Sequence, residues 1–123
     1  MALNGSVAIV DDEPGVLRTY ELLFKRRKIS LAFTALDGPE AIEKLKKANL
    51  RPSVVVIDYR LPTMNGLELM REVLAIEPGI KIIFISGDDS VREKSIDAGA
   101  AVFLKKPTSI KVITETVTNL LKT

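Results

Sequence analysis

Pro52-Ser53-Val54-Val55-Val56-Ile57-Asp58-Tyr59-Arg60-Leu61-Pro62 is an apolar run that ends in a carboxylate and then a turn. A strand with one wet face alternates apolar and polar residues, whereas a strand buried on both faces of a parallel sheet is apolar throughout. Val54 to Ile57 shows no alternation and is wholly β-branched, so it predicts a buried parallel strand, and Pro62 to Gly66 marks where the chain breaks away. Asp58 then stands at that strand's carboxyl end. In open α/β sheets ligands bind in the crevice outside those ends, so position alone makes Asp58 a functional candidate.

Working outward, the same rhythm repeats on both sides. Upstream, Val7 to Val10 is a short apolar run ending in Asp11-Asp12-Glu13-Pro14, with Pro14 suited to a first helical position and Asp12 or Glu13 to its cap. Val16, Leu17, Tyr20, Leu23 and Phe24 follow helical spacing, and the basic cluster Lys25 to Lys28 complements the dipole at that helix's end. Ile29 to Ala35 alternates, which suits an edge strand, and a second helix runs from Pro39 through Ala41, Ile42, Leu45 and Ala48.

Downstream, Leu67, Met70, Val73 and Leu74 mark a third helix stopped by Glu77-Pro78-Gly79. Ile82 to Ile85 is a fourth strand, uniformly apolar and ending in Ser86-Gly87-Asp88-Asp89. The helix that follows, from about Ser90 to Asp97, has only Val91, Ser95 and Ala98 as its inner stripe and is expected to be the least firmly anchored. Ala101 to Leu104 gives a fifth strand, which ends in Lys105-Lys106-Pro107, and Ile110, Ile113, Val117, Leu120 and Leu121 give a fifth helix one apolar face. Five strand-then-helix units predict an α/β fold, a five-stranded parallel sheet covered on both faces with right-handed crossovers.

The 123 residues, 46% hydrophobic, fit one domain over 1–123. Without cysteine or histidine, thiolate chemistry, imidazole bases and the commonest transition-metal ligands are excluded. Eighteen basic against 16 acidic residues is too even a balance for a nucleic-acid surface. Met1 to Gly5 lacks the pattern of a secretory signal, and no apolar run approaches the roughly 20 residues that span a bilayer, so a soluble cytoplasmic protein without membrane insertion is expected.

Parallel strands deliver their carboxyl ends together, so the fold predicts Asp11, Asp12, Asp58, Ser86, Lys105 and Lys106 at one edge of the sheet. Three clustered carboxylates repel unless a cation neutralises them, and an all-oxygen donor set points to a hard divalent ion, Mg²⁺. Metal, acid, ammonium and hydroxyl together suit phosphoryl transfer to an aspartate. Taken singly, Asp11 and Asp12 read as helix caps, Ser86 as a loop hydroxyl, Lys106 as a solvated charge and Phe103 as core. Their convergence on four strand ends favours function.

These residues resemble the receiver domains of two-component response regulators, in Val10 to Glu13, Val56 to Gly66, Ile85-Ser86-Gly87, Ala98-Gly99-Ala100 and Phe103 to Pro107. The resemblance covers essentially the whole chain and implies a flavodoxin-like (βα)5 fold with strand order 2-1-3-4-5. It implies that Asp58 accepts a phosphoryl group from a sensor histidine kinase or phosphotransfer protein. By the same resemblance Asp12, Asp58 and the Arg60 backbone carbonyl bind Mg²⁺, and Asp11 binds it through a water. Lys106, not Lys105, matches the phosphate-binding lysine, with a cis bond to Pro107; Ser86 bonds the phosphoryl group while Phe103 rotates inward. Such a chain is a signalling domain that catalyses its own phosphorylation and dephosphorylation rather than an enzyme acting on a metabolite, and its target binds the face of the fourth helix, fifth strand and fifth helix.

Arg60 and Asp88 are expected to pair across the site mouth and hinder the water that removes the phosphate. Three other readings are weighed. One is a receiver cut from a larger regulator with a DNA-binding or enzymatic output domain. Another is a small Mg²⁺-dependent aspartyl-phosphate phosphatase or phosphotransferase, which would want a second carboxylate where Arg60 stands. The last is a flavodoxin-like ligand-binding module, whose loops would be glycine- and hydroxyl-rich rather than acidic.

Overall fold

A computed structural model describes residues 3–122. In chain order the elements are β1 (Val7–Val10), α1 (Pro14–Arg26), β2 (Leu31–Ala35), α2 (Gly38–Lys47), β3 (Val54–Asp58), α3 (Gly66–Ile76), β4 (Lys81–Ser86), α4 (Arg92–Asp97), β5 (Val102–Lys105) and α5 (Ile110–Leu121). All neighbouring strands run parallel, in the order β2-β1-β3-β4-β5. The five strands, five helices and this order are those the sequence and its resemblance imply. The alternating strand, β2, lies at an edge, and the uniformly apolar β3 lies at the centre.

Alternation along each strand divides the core in two. Val7, Ile9, Val54, Val56, Ile83 and Ile85 meet Leu17, Tyr20 and Phe24 of α1 and Ile113, Val117 and Leu121 of α5. Their neighbours in sequence, among them Ala8, Val10, Val55, Ile57, Ile82 and Phe84, meet the helices of the opposite face through Ala41, Leu45, Leu69, Met70 and Val73. Successive side chains on a strand point to opposite faces, so a strand buried on both sides must be apolar at every position. That requirement is the physical reason Val54 to Ile57 shows no period.

Helix starts follow their caps. Asp37 accepts the Glu40 amide at 2.8 Å, and Asn65 and Glu68 close a reciprocal capping box at the head of α3. At α1, Pro14 is the first helical residue and Glu13, one of the two expected caps, holds the cap position; it makes no side-chain bond, and the Asp11 carboxylate accepts the Glu13 amide at 2.9 Å. The segment expected as one helix from Ser90 is split, with a single 3-10 turn over Asp89–Val91 before α4. Asp88 accepts the Ser90 amide and closes that tighter turn. Burying a large apolar side chain is worth about 1.5–3 kcal/mol; α1 buries Leu17, Tyr20 and Phe24, whereas the six residues of α4 bury only Ser95. No helix among the described residues is long and apolar enough to cross a membrane.

Candidate functional site

Strand register brings the predicted residues level. Val10 pairs with Ile57, Asp58 with Ile85, and Ser86 with Lys105, so β1, β3, β4 and β5 end side by side. At that edge Asp11, Asp12 and Asp58 each offer a carboxylate oxygen, and these oxygens lie within 4.8 Å of one another. Lys106 Nζ donates to Asp58 Oδ2 at 3.1 Å. The Lys106–Pro107 bond is cis.

Parity explains which lysine reaches the acid. Asp58 continues the Val54, Val56 series that faces α1 and α5, and Lys106 continues that of Val102 and Leu104 on the same side. Lys105 falls with Phe103 on the other side, where it pairs with Asp89.

Burial raises the Asp58 carboxyl above its ordinary value. The hydrogen bond and charge of Lys106 oppose the rise, and the charge of Asp12 adds to it. Asp11 is raised too, first by burial, against the bond from the Glu13 amide and with the charge of Asp58 adding. One ammonium therefore faces three carboxylates, and it bonds only one of them. The donor set is wholly oxygen, two of its members are disfavoured as anions, and the Arg60 carbonyl accepts no hydrogen bond among the described residues. These residues fit a hard divalent cation.

The β3–α3 turn is built to hold Asp58 in place. The Gly66 amide donates to the Tyr59 carbonyl at 2.8 Å, and a Cβ on Gly66 would stand 2.6 Å from the Asp58 carbonyl oxygen. Only glycine permits that approach. Ser86 is buried, and its Oγ accepts the Asp88 amide at 2.9 Å, which leaves the hydroxyl proton free to donate. Phe103 is already buried, 8% exposed, with its ring stacked on Phe84 and the Arg92 guanidinium 4.5 Å from the ring centre.

The expected Arg60–Asp88 pair does not form as a contact. Among the described residues Arg60 enters no ion pair. Asp88 spends its carboxylate on Ser90, which chiefly lowers it, with Arg60 a smaller influence. Sequence reasoning missed three features. The Asn65-x-x-Glu68 capping box was readable from its spacing. The Asp89–Arg92 pair was likewise readable from its i,i+3 spacing, whereas the reach of Lys105 to Asp89 depends on tertiary placement and leaves no local signal.

Comparison with known proteins agrees with the fold. Residues 7–118 match the family model described as response regulator receiver domain. The chain is 35% identical over 103 residues to the chemotaxis protein CheY of Thermotoga maritima, covering 82% of this chain and 84% of that protein. It is 30% identical to the probable transcriptional regulatory protein TcrX of Mycobacterium tuberculosis over 88% of this chain, but spans only 46% of that relative. It spans 28% of a protein-glutamate methylesterase/protein-glutamine glutaminase of Methanococcus maripaludis, at 34% identity. Among solved structures, a CheX–CheY complex with BeF3 and Mg from Borrelia burgdorferi aligns with a TM-score of 0.83 and 25% identity over 98% of this chain and 92% of that one. A putative response regulator from Chloroflexus aurantiacus aligns at 0.81 and 28% identity, over 96% and 98%.

Proposed function

The chain belongs to the response regulator receiver domain family, and from that premise we propose that it is a phosphorylation-activated switch whose phosphoacceptor is Asp58. The single observation that carries this is the meeting of Asp11, Asp12 and Asp58 within 4.8 Å, with Lys106 bonded to Asp58. An Asp58 carboxylate oxygen attacks the phosphorus of a phosphohistidine on a sensor kinase or phosphotransfer protein. A P–O bond forms, the P–N bond breaks, and its electron pair leaves with the imidazole nitrogen.

Asp12, Asp58 and the Arg60 carbonyl would hold Mg²⁺ directly and Asp11 through a water; when bound, the ion neutralises charge on the transferred group. Lys106, bonded to Asp58 Oδ2, supplies a fixed positive charge on the side facing α1 and α5. Ser86 donates its free hydroxyl proton to a phosphoryl oxygen from the other side of the sheet edge. Phe103, packed under Arg92, is the side chain through which occupancy of Ser86 would reach the α4–β5–α5 face, where a downstream protein docks.

We take residues 1–123 as one receiver unit that works in the cytoplasm. Because the chain spans under half of some relatives, a DNA-binding or enzymatic output belongs to a second reading, in which this unit regulates such a domain. Intact mass after incubation with acetyl phosphate and Mg²⁺ tests the switch: the wild type gains one phosphoryl group and Asp58→Ala gains none. An unmodified wild type overturns the proposal.

A further inference from the structure

The edge of the sheet opposite the acid cluster, where strands begin and helices end, is basic. Lys25 and Arg26 close α1 with Arg27 and Lys28 after them, Lys46 and Lys47 close α2, Lys81 opens β4, and Lys122 follows α5; all are exposed. Acids are few at this edge. Glu43 pairs with Lys47 and Glu77 with Arg51, which leaves Asp97 as the acid there that enters no ion pair among the described residues. The near-even total of 18 basic and 16 acidic residues conceals this sorting, with Asp11, Asp12, Asp37, Asp58, Asp88 and Asp89 at the other edge.

Complementing helix dipoles is not the whole cause. The last turns of α3 and α5 carry no basic residue. Lys28, moreover, sits where glycine normally ends a helix: its amide donates to the Lys25 carbonyl at 3.2 Å, the Ile29 amide donates to the Phe24 carbonyl at 2.9 Å, and its φ is 58°. Glycine adopts that left-handed conformation freely, whereas a lysine there is strained. Its ammonium enters no ion pair among the described residues, so no carboxylate of the chain accounts for a charge at that position. Strain kept at a surface position points to a use outside the fold. On the same edge Leu50 projects, 86% exposed, and it borders one shallow groove with Ser30, two residues beyond Lys28, and with Arg51.

We propose that this edge docks reversibly on an anionic phospholipid surface, with Lys28 and its basic neighbours against the headgroups and Leu50 entering between them. The charge is spread over the ends of α1, α2 and α5 and the start of β4, so it matches a broad anionic plane rather than a peptide held in a cleft. Leu50 adds the apolar half of the contact, and reversible attachment of a protein to lipid ordinarily needs both halves. The large apolar residues that the chain exposes are all aliphatic, so a stacking platform for single-stranded nucleic acid is missing among the described residues. No helix among them can cross a bilayer, and the contact is therefore with its surface. Docked in this way, the acid cluster at the far edge faces solution, and lipid contact leaves it open to a phosphodonor.

Cosedimentation with vesicles tests this without a phosphodonor. The protein is expected to bind vesicles of phosphatidylglycerol and phosphatidylcholine in equal parts and not those of phosphatidylcholine alone. Salt of about 1 M, where the screening length falls to about 3 Å, should release it. Lys28→Gly should weaken binding about fivefold, the ~1 kcal/mol of one cation near an anionic surface, yet melt no lower than wild type, because glycine accepts the backbone there without strain. Should Lys28→Gly melt lower, Lys46→Gln on the outside of α2 supplies the same fivefold test. Leu50→Ser should weaken vesicle binding about tenfold, for a leucine partly withdrawn from water. No binding to the anionic vesicles, equal binding to phosphatidylcholine alone, or unchanged binding in the lysine variant or in Leu50→Ser would overturn the proposal. Tighter binding to duplex DNA or to polyglutamate at equal charge would also overturn it, assigning the edge to a nucleic acid or to an acidic protein. Each of these outcomes leaves the phosphoacceptor reading of Asp58 standing.

Discussion

Lys105 and Lys106 are consecutive, chemically identical, and each paired with an aspartate, yet their surroundings differ sharply. Lys106 holds Asp58 at 3.1 Å, and the Asp58 side chain is 9% exposed. Lys105 holds Asp89 on the opposite side of the sheet edge, where the two side chains are 46% and 57% exposed. Strand alternation sends the two ammonium groups to different faces, and burial then decides what each pair can do. A carboxylate stripped of water needs its counter-charge, whereas one in water has solvent and salt in its place. The two acids move accordingly: burial raises Asp58, and the hydrogen bond from Lys105 is the main cause that lowers Asp89.

The largest expected effect breaks the buried pair. Lys106→Ala should slow phosphorylation of Asp58 by acetyl phosphate by about 10²- to 10³-fold, the usual cost of deleting one preorganised charge or donor at a reacting group. The initial rate by intact mass checks it, with Lys105→Ala as the paired control. Equal losses in the two variants would mean that burial does not separate the pairs.

Asp58 sharpens the contrast through stability. Its carboxyl is raised in the folded chain, so the stability it contributes is fully present below the ordinary carboxylate value and lost as pH rises through the raised value. Asp58→Asn, which cannot ionise, should therefore melt higher than wild type at neutral pH, and the gain should vanish below about pH 4. Mg²⁺ should recover part of the wild type's loss, by about 2.7 kcal/mol at a hundred times its dissociation constant, and should do little for Asp58→Asn. Thermal melts across pH, with and without Mg²⁺, supply all four comparisons.

On the Lys105 side a cation–π contact stands beside the ion pair. Arg92 lies over the Phe103 ring and also meets Asp89 at 3.5 Å. Arg92→Ala should cost about 0.5–1 kcal/mol in urea unfolding, the range for a cation over an aromatic face at an exposed site. It should also loosen the packing of Phe103, seen as faster hydrogen exchange in β5. No change in either measurement would mean that the guanidinium only rests on the ring.

The contrast between the lysines also marks what a reader of the sequence could see. The parallel sheet was legible because Val54 to Ile57 and Ile82 to Ile85 are apolar without period, which only a doubly covered strand requires. Their strand ends gather Asp11, Asp12, Asp58, Ser86 and Lys106 as parallel topology dictates. Choosing Lys106 over Lys105 rested on resemblance, though the parity of Val102 and Leu104 against Phe103 gives the same answer once the face of Asp58 is known. Contacts between segments far apart in sequence could not be read. Asp89 meets Lys105 across 16 residues, and the Arg60–Asp88 pair was inferred from the site's outline although Asp88 is taken locally by Ser90. Short polar side chains after a strand turn back on their own backbone, and this competed successfully with a reach across the mouth.

The smallest expected effect belongs to Lys105 itself. Asp89 is lowered, so its contribution to stability is present above the ordinary carboxylate range and lost as pH falls through the lowered value, the reverse of Asp58. Both partners are exposed, however, and the gain is screened by salt and offset by the entropy of holding a lysine still. Lys105→Ala should leave the melting temperature within error at 0.15 M salt and leave the phosphorylation rate untouched. Asp89→Ala should show slightly more, because it also releases Arg92 from its ion pair. A double-mutant cycle on Lys105 and Asp89 isolates their coupling, and melts at low and high salt show whether it disappears with screening. A coupling that persists in high salt would place this pair with Lys106 and Asp58 as a structural lock, and would make exposure a poor guide to which of the two lysines matters.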